Sequence, residues 1–176
     1  MDNTALFFLV FDLSNHSNFA DSLMIFGARF LIYLTFLLVI LAAFKGGVKE
    51  KKAMILAFLA IPIAVLLIKG IHLFFIEPRP FVNLHFSPLL DTDADASFPS
   101  RHTSVMALVA FSFVHFKSKW ASLFLLLMIW VGISRIYVGV HYPLDILGGI
   151  VVGIISLVIT KQITKRLKSH FFSQSF

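Results

Sequence analysis

The sequence predicts an all-α protein: a polytopic bundle of transmembrane helices that forms a single domain over residues 1–176. Hydrophobic residues make up 59% of the chain and charged residues only 14%, whereas soluble domains average about 45–50% and about 25%. Apolar stretches recur along the chain, each close to the roughly 20 residues that a helix needs to cross a bilayer. Because irregular backbone cannot face lipid, helices are the expected spanning elements.

Five apolar stretches are predicted to span the membrane, and a shorter N-terminal segment precedes them. The apolar part of Asn3–Ala20 is too short to span, which indicates an interfacial or re-entrant helix, with a sixth span as the alternative. The five predicted spans are Leu23–Phe44, Ala53–Ile76, Phe98–Phe116, Trp120–Val140 and Asp145–Ile163.

The charged residues divide between the two sides of this five-span bundle. Ten cations fall in alternate loops and after the last span, so the positive-inside rule places these loops and the C-terminus in the cytoplasm. Topology therefore explains the net charge of +6, and a nucleic-acid partner, which needs a water-exposed basic face, is not expected. The ten cations are Lys45, Lys49, Lys51, Lys52, Lys117, Lys119, Lys161, Lys165, Arg166 and Lys168.

The other five cations lie near the predicted outer ends of the spans. Ionisable groups inside a bilayer cost about 2.5–3.5 kcal/mol on insertion scales, so they usually face a functional interior. Snorkelling to the interface is an adequate explanation for one or two of them, but a weaker one for five at the same end. The cluster predicts an anion-binding site formed by Arg29, Lys69, Arg79, Arg101 and Arg135.

Three segments that reach this end carry residues suited to phosphoryl transfer. Arg79 and Arg135 each offer a planar fork of donors that matches phosphate. Span three begins near Pro99, where backbone N–H groups and the Ser100 hydroxyl can cap the helix or bind an anion. His102 and His141 can act as nucleophile and proton donor.

Asp145 follows His141 by four residues and is within reach of it in a helix or turn. It could hold the imidazole in one tautomer. The plainer explanations are that a histidine near an interface packs or caps a helix, or that the pair binds a metal. The convergence of three such segments on one face favours an oxyanion site.

These motifs resemble the signatures of the type 2 phosphatidic acid phosphatase superfamily. Residues 99–102, Pro-Ser-Arg-His, are similar to its second signature, Pro-Ser-x-His. Ser134–Arg135, His141 and Asp145 match the third signature in order and spacing, and residues 79–80 match the end of the first. Residues 77–81, Glu-Pro-Arg-Pro-Phe, residues 95–100, Asp-Ala-Ser-Phe-Pro-Ser, and the short total length make the chain most similar to bacterial undecaprenyl diphosphatases of the bacitracin-resistance type.

The first signature departs from the family pattern. His72 occupies the position of the family's lysine, and Lys69 lies one helical turn earlier, so either residue, or neither, supplies the first cation. Arg101 stands at the variable position of the second signature, where it could hold a second phosphate or point to water.

The resemblance implies a lipid phosphatase in the cell membrane that hydrolyses undecaprenyl diphosphate at the outer face. His141, oriented by Asp145, would attack phosphorus and form a phosphohistidine, and His102 would protonate the leaving oxygen and then activate water. No metal or other cofactor is required, and the expected partners are the lipid (di)phosphate and membrane lipids. The implied phosphate ligands are Arg79, Arg135 and Ser100, with Lys69, His72 and Arg101 as further candidates.

Three alternatives remain open. A phosphatidylglycerophosphate or phosphatidate phosphatase would use the same pocket. A lipid or anion transporter would need the cations but not the histidines, and metal-assisted hydrolysis would need a metal. Elsewhere in the chain, Asp91–Asp95 is expected to form a solvated outer loop, and Gly149 and Gly153 are expected to let two helices pack closely.

Overall fold

Regular structure in the described part of the chain is helical throughout, which confirms the predicted all-α class. This computed structural model describes residues 2–173, with side chains up to residue 167, so the side chain of Lys168 lies outside the described region. The helices within it are α1 Asn3–Phe11, α2 Asn18–Arg29, α3 Leu31–Lys45, α4 Val48–His72, α5 Pro80–Asn83, α6 Arg101–His115, α7 Ala121–Tyr137 and α8 Pro143–Ser173.

Two of the described helices are long and apolar enough to cross a membrane by length and composition. They are α4 and the Pro143–Leu167 part of α8, and α2 with α3 would make a third if the bent pair acts as one span. The helices α6 and α7 are shorter, at 15 and 17 residues. A membrane protein is therefore supported, and the count of five spans stays a prediction.

The first predicted span, Leu23–Phe44, is not one straight helix. The chain bends by 59° between α2 and α3, at Phe30. The helix α2 lies against α7, where Gly27 leaves no room for a Cβ beside the Ser134 hydroxyl. The helix α3 also contacts α7, but it places Leu31 and Val39 in the main apolar core that includes α4 and α6. The bend lets α3 reach α4 and α6, whereas α2 packs on α7.

The N-terminal segment also differs from the single helix expected over Asn3–Ala20. Asp2 caps α1 by accepting a hydrogen bond from the Ala5 amide at 2.7 Å, and α1 ends at Phe11. A turn follows, and Ser17 then caps α2. Phe7 is fully buried in an aromatic cluster with Phe11, Phe86 and Tyr142, so α1 covers the turn that leads into α8.

The helix α6 lies in the middle of the bundle, against α4, α7 and α8. Glycines on α8 let its backbone touch that of α6: a Cβ at Gly149 would lie 2.7 Å from the Ser100 carbonyl oxygen, and one at Gly153 would lie 2.8 Å from that of Ser104. The predicted close packing is confirmed. It fixes the N-terminus of α6 beside the start of α8.

Candidate active site

The predicted motif segments meet at one end of the bundle, where α4 ends and α6 begins; we call this the site end. Backbone hydrogen bonds join them, from the Ser97 amide to the Glu77 carbonyl at 2.8 Å and from the Ser100 amide to the Asp145 carbonyl at 3.0 Å. The predicted helix start is confirmed, because Ser100 caps α6 by accepting from the Thr103 amide at 3.4 Å. These bonds join the backbone around Glu77, the segment 97–100 and the backbone at Asp145 on one side of the site.

His141 lies on the short turn between α7 and α8 and is only 2% exposed. The turn passes through Gly139, whose φ of +83° favours glycine. A side chain there would also collide with the rings of Phe86 and Phe11, at 2.8 and 2.9 Å. Backbone and aromatic packing together hold the His141 imidazole in place.

Two guanidinium groups converge on Nε2 of His141. The Arg135 Nη2 atom lies 3.3 Å from it and the Arg79 Nη1 atom lies 3.4 Å from it. Because a guanidinium has only donors, Nε2 must be the acceptor, and the ring proton belongs on Nδ1. The lone pair of Nε2 therefore faces the most positive part of the site, where an anion would bind.

The opposite ring nitrogen, Nδ1, faces Asp145 Oδ2 at 3.2 Å and the Ser97 hydroxyl at 3.3 Å. Asp145 is fully buried, and Oδ2 also accepts hydrogen bonds from the Tyr142 amide at 2.8 Å and from the Ser97 hydroxyl. Sequence reasoning missed Ser97. The only signal was its place in the run 95–100, quoted for the resemblance without a role for this hydroxyl.

The surroundings of His141 keep its imidazole neutral. Burial, followed by the positive charges of Arg135 and Arg79, holds the pKa of His141 well below its ordinary value of 6.5, and the negative charge of Asp95 opposes them only in part. A neutral imidazole at physiological pH has its Nε2 lone pair free to react.

Arg79 is buried, and Asp95 holds it in place. Its Nε and Nη2 atoms donate to Asp95 Oδ1 at 3.0 and 2.7 Å, while Nη1 donates to the Val140 carbonyl at 2.9 Å. Asp95 also forms an ion pair with Arg101. The expectation of a merely solvated loop at Asp91–Asp95 is therefore wrong for Asp95, because two guanidinium groups bind its carboxylate.

Asp95 carries a negative charge at neutral pH. Partial burial raises its pKa, but the hydrogen bonds and charges of Arg79 and Arg101 outweigh that effect and leave the pKa below its ordinary value. The result is a line of alternating charges from Arg101, which is exposed, through Asp95 to the buried Arg79 beside His141.

Arg135, near the end of α7, is also buried, and a second helix, α2, fixes its position. Its Nη1 donates to the Ala28 carbonyl of α2 at 3.3 Å. Its Nε, also buried, has no hydrogen-bond partner among the described residues. A donor aimed into the protein without a partner is available to an incoming acceptor.

His102 and Ser100 lie at the start of α6. His102 is half-buried and within electrostatic reach of His141, Arg135, Arg79 and Arg101. The Ser100 hydroxyl is buried and is occupied as a cap, since it also accepts a hydrogen bond from the Thr103 hydroxyl at 3.1 Å. The roles of both residues toward phosphate stay predictions.

Lys69, His72 and Arg101 have contacts other than the hydrogen bonds around His141. The His72 Nε2 atom makes a hydrogen bond with the Phe98 carbonyl at 3.0 Å, Lys69 is exposed at the end of α4, and Arg101 pairs with Asp95. Within the described residues, no hydrogen bond joins any of the three to His141. They line a different feature, a groove between α4 and α6.

Comparison with known proteins places this arrangement in a family. The undecaprenyl-diphosphatase BcrC of Bacillus subtilis (strain 168) is 38% identical over 156 residues, which cover 87% of this chain and 79% of that protein. The bacitracin transport permease protein BcrC of Bacillus licheniformis is 31% identical over 155 residues, covering 88% and 76%.

A solved structure has the same fold. The crystal structure of Aquifex aeolicus LpxE superposes with a TM-score of 0.75 at 28% identity, covering 91% of this chain and 94% of that one. Residues 52–169, which include all the motif residues described above, match the sequence model of the PAP2 superfamily. The chain therefore belongs to the PAP2 superfamily.

Proposed function

We propose that this protein is a membrane phosphatase that hydrolyses undecaprenyl diphosphate to undecaprenyl phosphate and phosphate through a phosphohistidine on His141. The observation that carries the proposal is the geometry of His141, with two arginines at Nε2 and a buried carboxylate at Nδ1. The name of the Bacillus subtilis relative supports the choice of substrate.

In the first step, Nε2 of His141 attacks the terminal phosphorus of the diphosphate. The N–P bond forms while the P–O bond to the lipid phosphate breaks, and His102 gives a proton to the leaving oxygen. The phosphoryl group enters between Nε2 and the guanidinium groups, so Arg79 and Arg135 transfer their hydrogen bonds to its equatorial oxygens. Fixed positive charge at these oxygens stabilises the transition state.

Asp145 and Ser97 support this step from behind the ring. When Nε2 bonds to phosphorus, the imidazole becomes cationic, and the Asp145 carboxylate stabilises that charge through Nδ1–H. Ser97 is a positioning residue, because its hydroxyl anchors the same carboxylate oxygen that faces the ring.

In the second step, His102 takes a proton from water, and the resulting hydroxide attacks phosphorus. The N–P bond breaks, inorganic phosphate leaves, and His141 returns to its neutral form. The two arginines supply the positive charge that a metal would otherwise provide. Activity should therefore be unchanged in excess chelator, and its loss would instead support metal-assisted hydrolysis.

We further propose five spans, with the bent α2–α3 pair as the first, the site end outside the cell and the C-terminus in the cytoplasm. The end of the bundle opposite the site supports this orientation. There, Glu50 at the start of α4 accepts a hydrogen bond from the Ser118 hydroxyl at 2.8 Å, and the Lys161 Nζ atom lies 3.5 Å from His115 Nδ1. The loops that carry most of the lysines therefore lie together at this end, as expected for the cytoplasmic side. Single cysteines in this cysteine-free chain should react with an impermeant reagent only at the site end.

The decisive experiment is phosphate release by the purified protein from undecaprenyl diphosphate, phosphatidylglycerophosphate and phosphatidate. The proposal expects the diphosphate to be preferred. A preference for either monoester would favour that phosphatase instead. The name of the Bacillus licheniformis relative favours a transporter, and transport that survives loss of both His102 and His141 would support that alternative.

His102→Ala should lose less rate on a prenyl diphosphate than on phosphatidate. The diphosphate expels a lipid phosphate, which is a weak base, whereas phosphatidate expels an alkoxide that needs a proton much more. We expect at least about a tenfold difference between the two losses, measured as kcat in initial-rate assays. Equal losses would remove His102 from the role of acid.

Ser97→Ala should lower kcat about ten- to hundredfold with little change in KM, because a hydrogen bond to a charged group typically contributes about 1.5–3 kcal/mol. The matched control is Ser112→Ala, which removes the hydroxyl of a fully buried serine of α6 that has no partner among the described residues. If Ser97 acts through the carboxylate, its substitution should add little in an Asp145→Asn background. Fully additive losses would contradict that role.

The depressed pKa of His141 predicts the acid side of the pH profile. A nucleophile stays active while it is unprotonated, so kcat/KM on a lipid diphosphate should remain level as the pH falls through 6.5, the ordinary histidine value, and decline only below it. A decline already centred at 6.5 in the His102→Ala variant would show that His141 titrates normally.

A further inference from the structure

A groove of about 260 Å³ opens between α3 and α4 at the end of the bundle opposite the site end. Its walls are apolar except for Lys51, which lies near the start of α4. The cation of the groove therefore lies at the end where the chain turns from α3 into α4. The apolar lining consists of Ile40, Ala43 and Phe44 of α3 and Met54 and Ile55 of α4.

Lysines surround this turn, and the chain itself does not neutralise them. Within the described residues, no ion pair joins any of them to an acidic side chain. Their positive charge is therefore available to a partner from outside the chain. The lysines are Lys45, Lys49, Lys51 and Lys52, and all four are exposed.

The one acidic residue nearby has its partners inside the protein. Glu50 is the only acidic residue in the sequence between Asp21 and Glu77. It is 6% exposed, and its two carboxylate oxygens accept hydrogen bonds from the Gly47 amide at 2.9 Å and from the Ser118 hydroxyl at 2.8 Å. These bonds fix Glu50 at the start of α4, so the surface around the turn is positive.

Large apolar side chains are exposed beside the same lysines. Phe44 is 83% exposed and Val48 is 66% exposed. In water this exposure would cost free energy. At a bilayer surface, in contrast, apolar side chains enter the hydrocarbon while neighbouring lysines reach the head groups. The turn is therefore suited to the membrane surface, with the groove facing the acyl chains next to it.

We propose that the groove binds an acyl chain of an acidic phospholipid and that Lys51 binds the phosphate of the same lipid. The three neighbouring lysines strengthen the attraction for the negative head group. This inference goes beyond the proposed function, because it concerns a second lipid site at the other end of the bundle. It uses the proposed orientation only to place that lipid in the cytoplasmic leaflet.

Charge complementarity selects this occupant over two others. A phospholipid without net charge would fill the apolar walls equally well, but it would leave the lysine charges unbalanced. A second copy of this chain, packed through the same face, would bring two sets of four lysines together, and like charges repel. An acidic phospholipid supplies both the hydrocarbon that matches the walls and the negative charge that matches the turn.

The head-group part is tested by binding of dioleoyl phosphatidylglycerol and dioleoyl phosphatidylcholine to the purified protein, measured by native mass spectrometry. The wild-type protein should bind the acidic lipid at least about tenfold more tightly. Lys51→Gln should weaken that binding about fivefold and change binding of the uncharged lipid by less than about twofold. The control is Lys165→Gln, because Lys165 is exposed on α8 and does not line the groove. It should change neither affinity by more than about twofold.

The chain-binding part is tested with Ile40→Trp, which fills the groove, and Leu41→Trp, which adds the same bulk beside it. The two residues are adjacent on α3 and almost equally exposed, at 40% and 39%, but only Ile40 lines the groove. Ile40→Trp should weaken binding of dioleoyl phosphatidylglycerol about tenfold, and Leu41→Trp should weaken it by less than about twofold.

Three results would each overturn this inference: equal affinity for the two lipids, equal effects of Lys51→Gln and Lys165→Gln, or equal effects of the two tryptophan variants. A protein dimer that retains no lipid and dissociates on Ile40→Trp would also overturn it, since a second copy would then cover the groove. These measurements contain no diphosphate substrate, so failure of the proposed function would be seen separately, in the phosphate-release assay. Circular dichroism and thermal unfolding of each variant separate loss of fold from loss of binding.

Discussion

His141→Ala should abolish phosphate release, with a loss of at least about 10⁴-fold in kcat on both lipid diphosphates and lipid monophosphates. The imidazole forms the bond to phosphorus, and no other nucleophilic side chain of the described residues lies within hydrogen-bond distance of both Arg79 and Arg135. Removal of the ring leaves the two guanidinium groups able to bind substrate, so affinity should fall far less than turnover. The measurement is single-turnover phosphate release together with substrate binding.

His115→Ala is the matched control, because this histidine is exposed at the opposite end of α6. The wild-type protein, quenched in alkali during turnover of labelled substrate, should carry a phosphoryl group that acid removes, as a phosphohistidine does. The His141 variant should carry none. Residual turnover above about one part in a hundred, or label retained without His141, would remove the nucleophile assignment.

The class of fold could be predicted because an apolar composition, with apolar stretches of about 20 residues, is what helices in a bilayer require. The break at Phe30 could not be predicted, because no proline lies near it and the nearest glycine, Gly27, lies inside α2 rather than at the bend. It arises from tertiary packing: Gly27 fits α2 against α7, while Leu31 belongs to a core that adds α4 and α6 to α7. The wider set of partners of α3 leaves no local trace in the sequence.

The candidate site divides in the same way. His141, Asp145, Arg79 and Arg135 could be predicted because fixed spacing and charge at one end of several spans report on an anion site, and the structure brings all four together. The contacts of Ser97 and Asp95 could not be predicted from the sequence. A serine and an aspartate in a polar loop look solvent-exposed until the fold brings the loop onto buried ionic partners.

The contrast between Lys69 and Arg79 shows what charge alone does not specify. Both are cations near the site end, and the sequence predicted Arg79 as a phosphate ligand and Lys69 as a further candidate. The structure buries Arg79 against His141 and leaves Lys69 exposed on the groove between α4 and α6. Helical periodicity placed Lys69 near the correct end, but it could not distinguish the interior of the bundle from its flank.

Arg135→Ala should lower kcat about 10³-fold, the second-largest effect that we expect. An arginine that neutralises charge in a phosphoryl-transfer transition state contributes about 10³–10⁵ in rate. Arg135 approaches Nε2 of His141 to 3.3 Å and is held there by the Ala28 carbonyl. Arg135→Lys keeps the charge but loses the planar fork, so it should recover only part of the rate.

Arg29→Ala provides the control, because Arg29 lies one residue after the Ala28 carbonyl that holds Arg135 but is itself exposed, with its guanidinium 5.5 Å from the centre of the Phe30 ring. It should retain activity within about threefold of wild type. If Arg29→Ala were as damaging as Arg135→Ala, general positive charge at this end of the bundle would explain the rate. Full activity of Arg135→Lys would show that charge suffices without the fork. The geometry at Nε2, where Arg135 reaches the atom from α7 and Arg79 reaches it from the segment that joins α4 to α5, predicts that neither result will be observed.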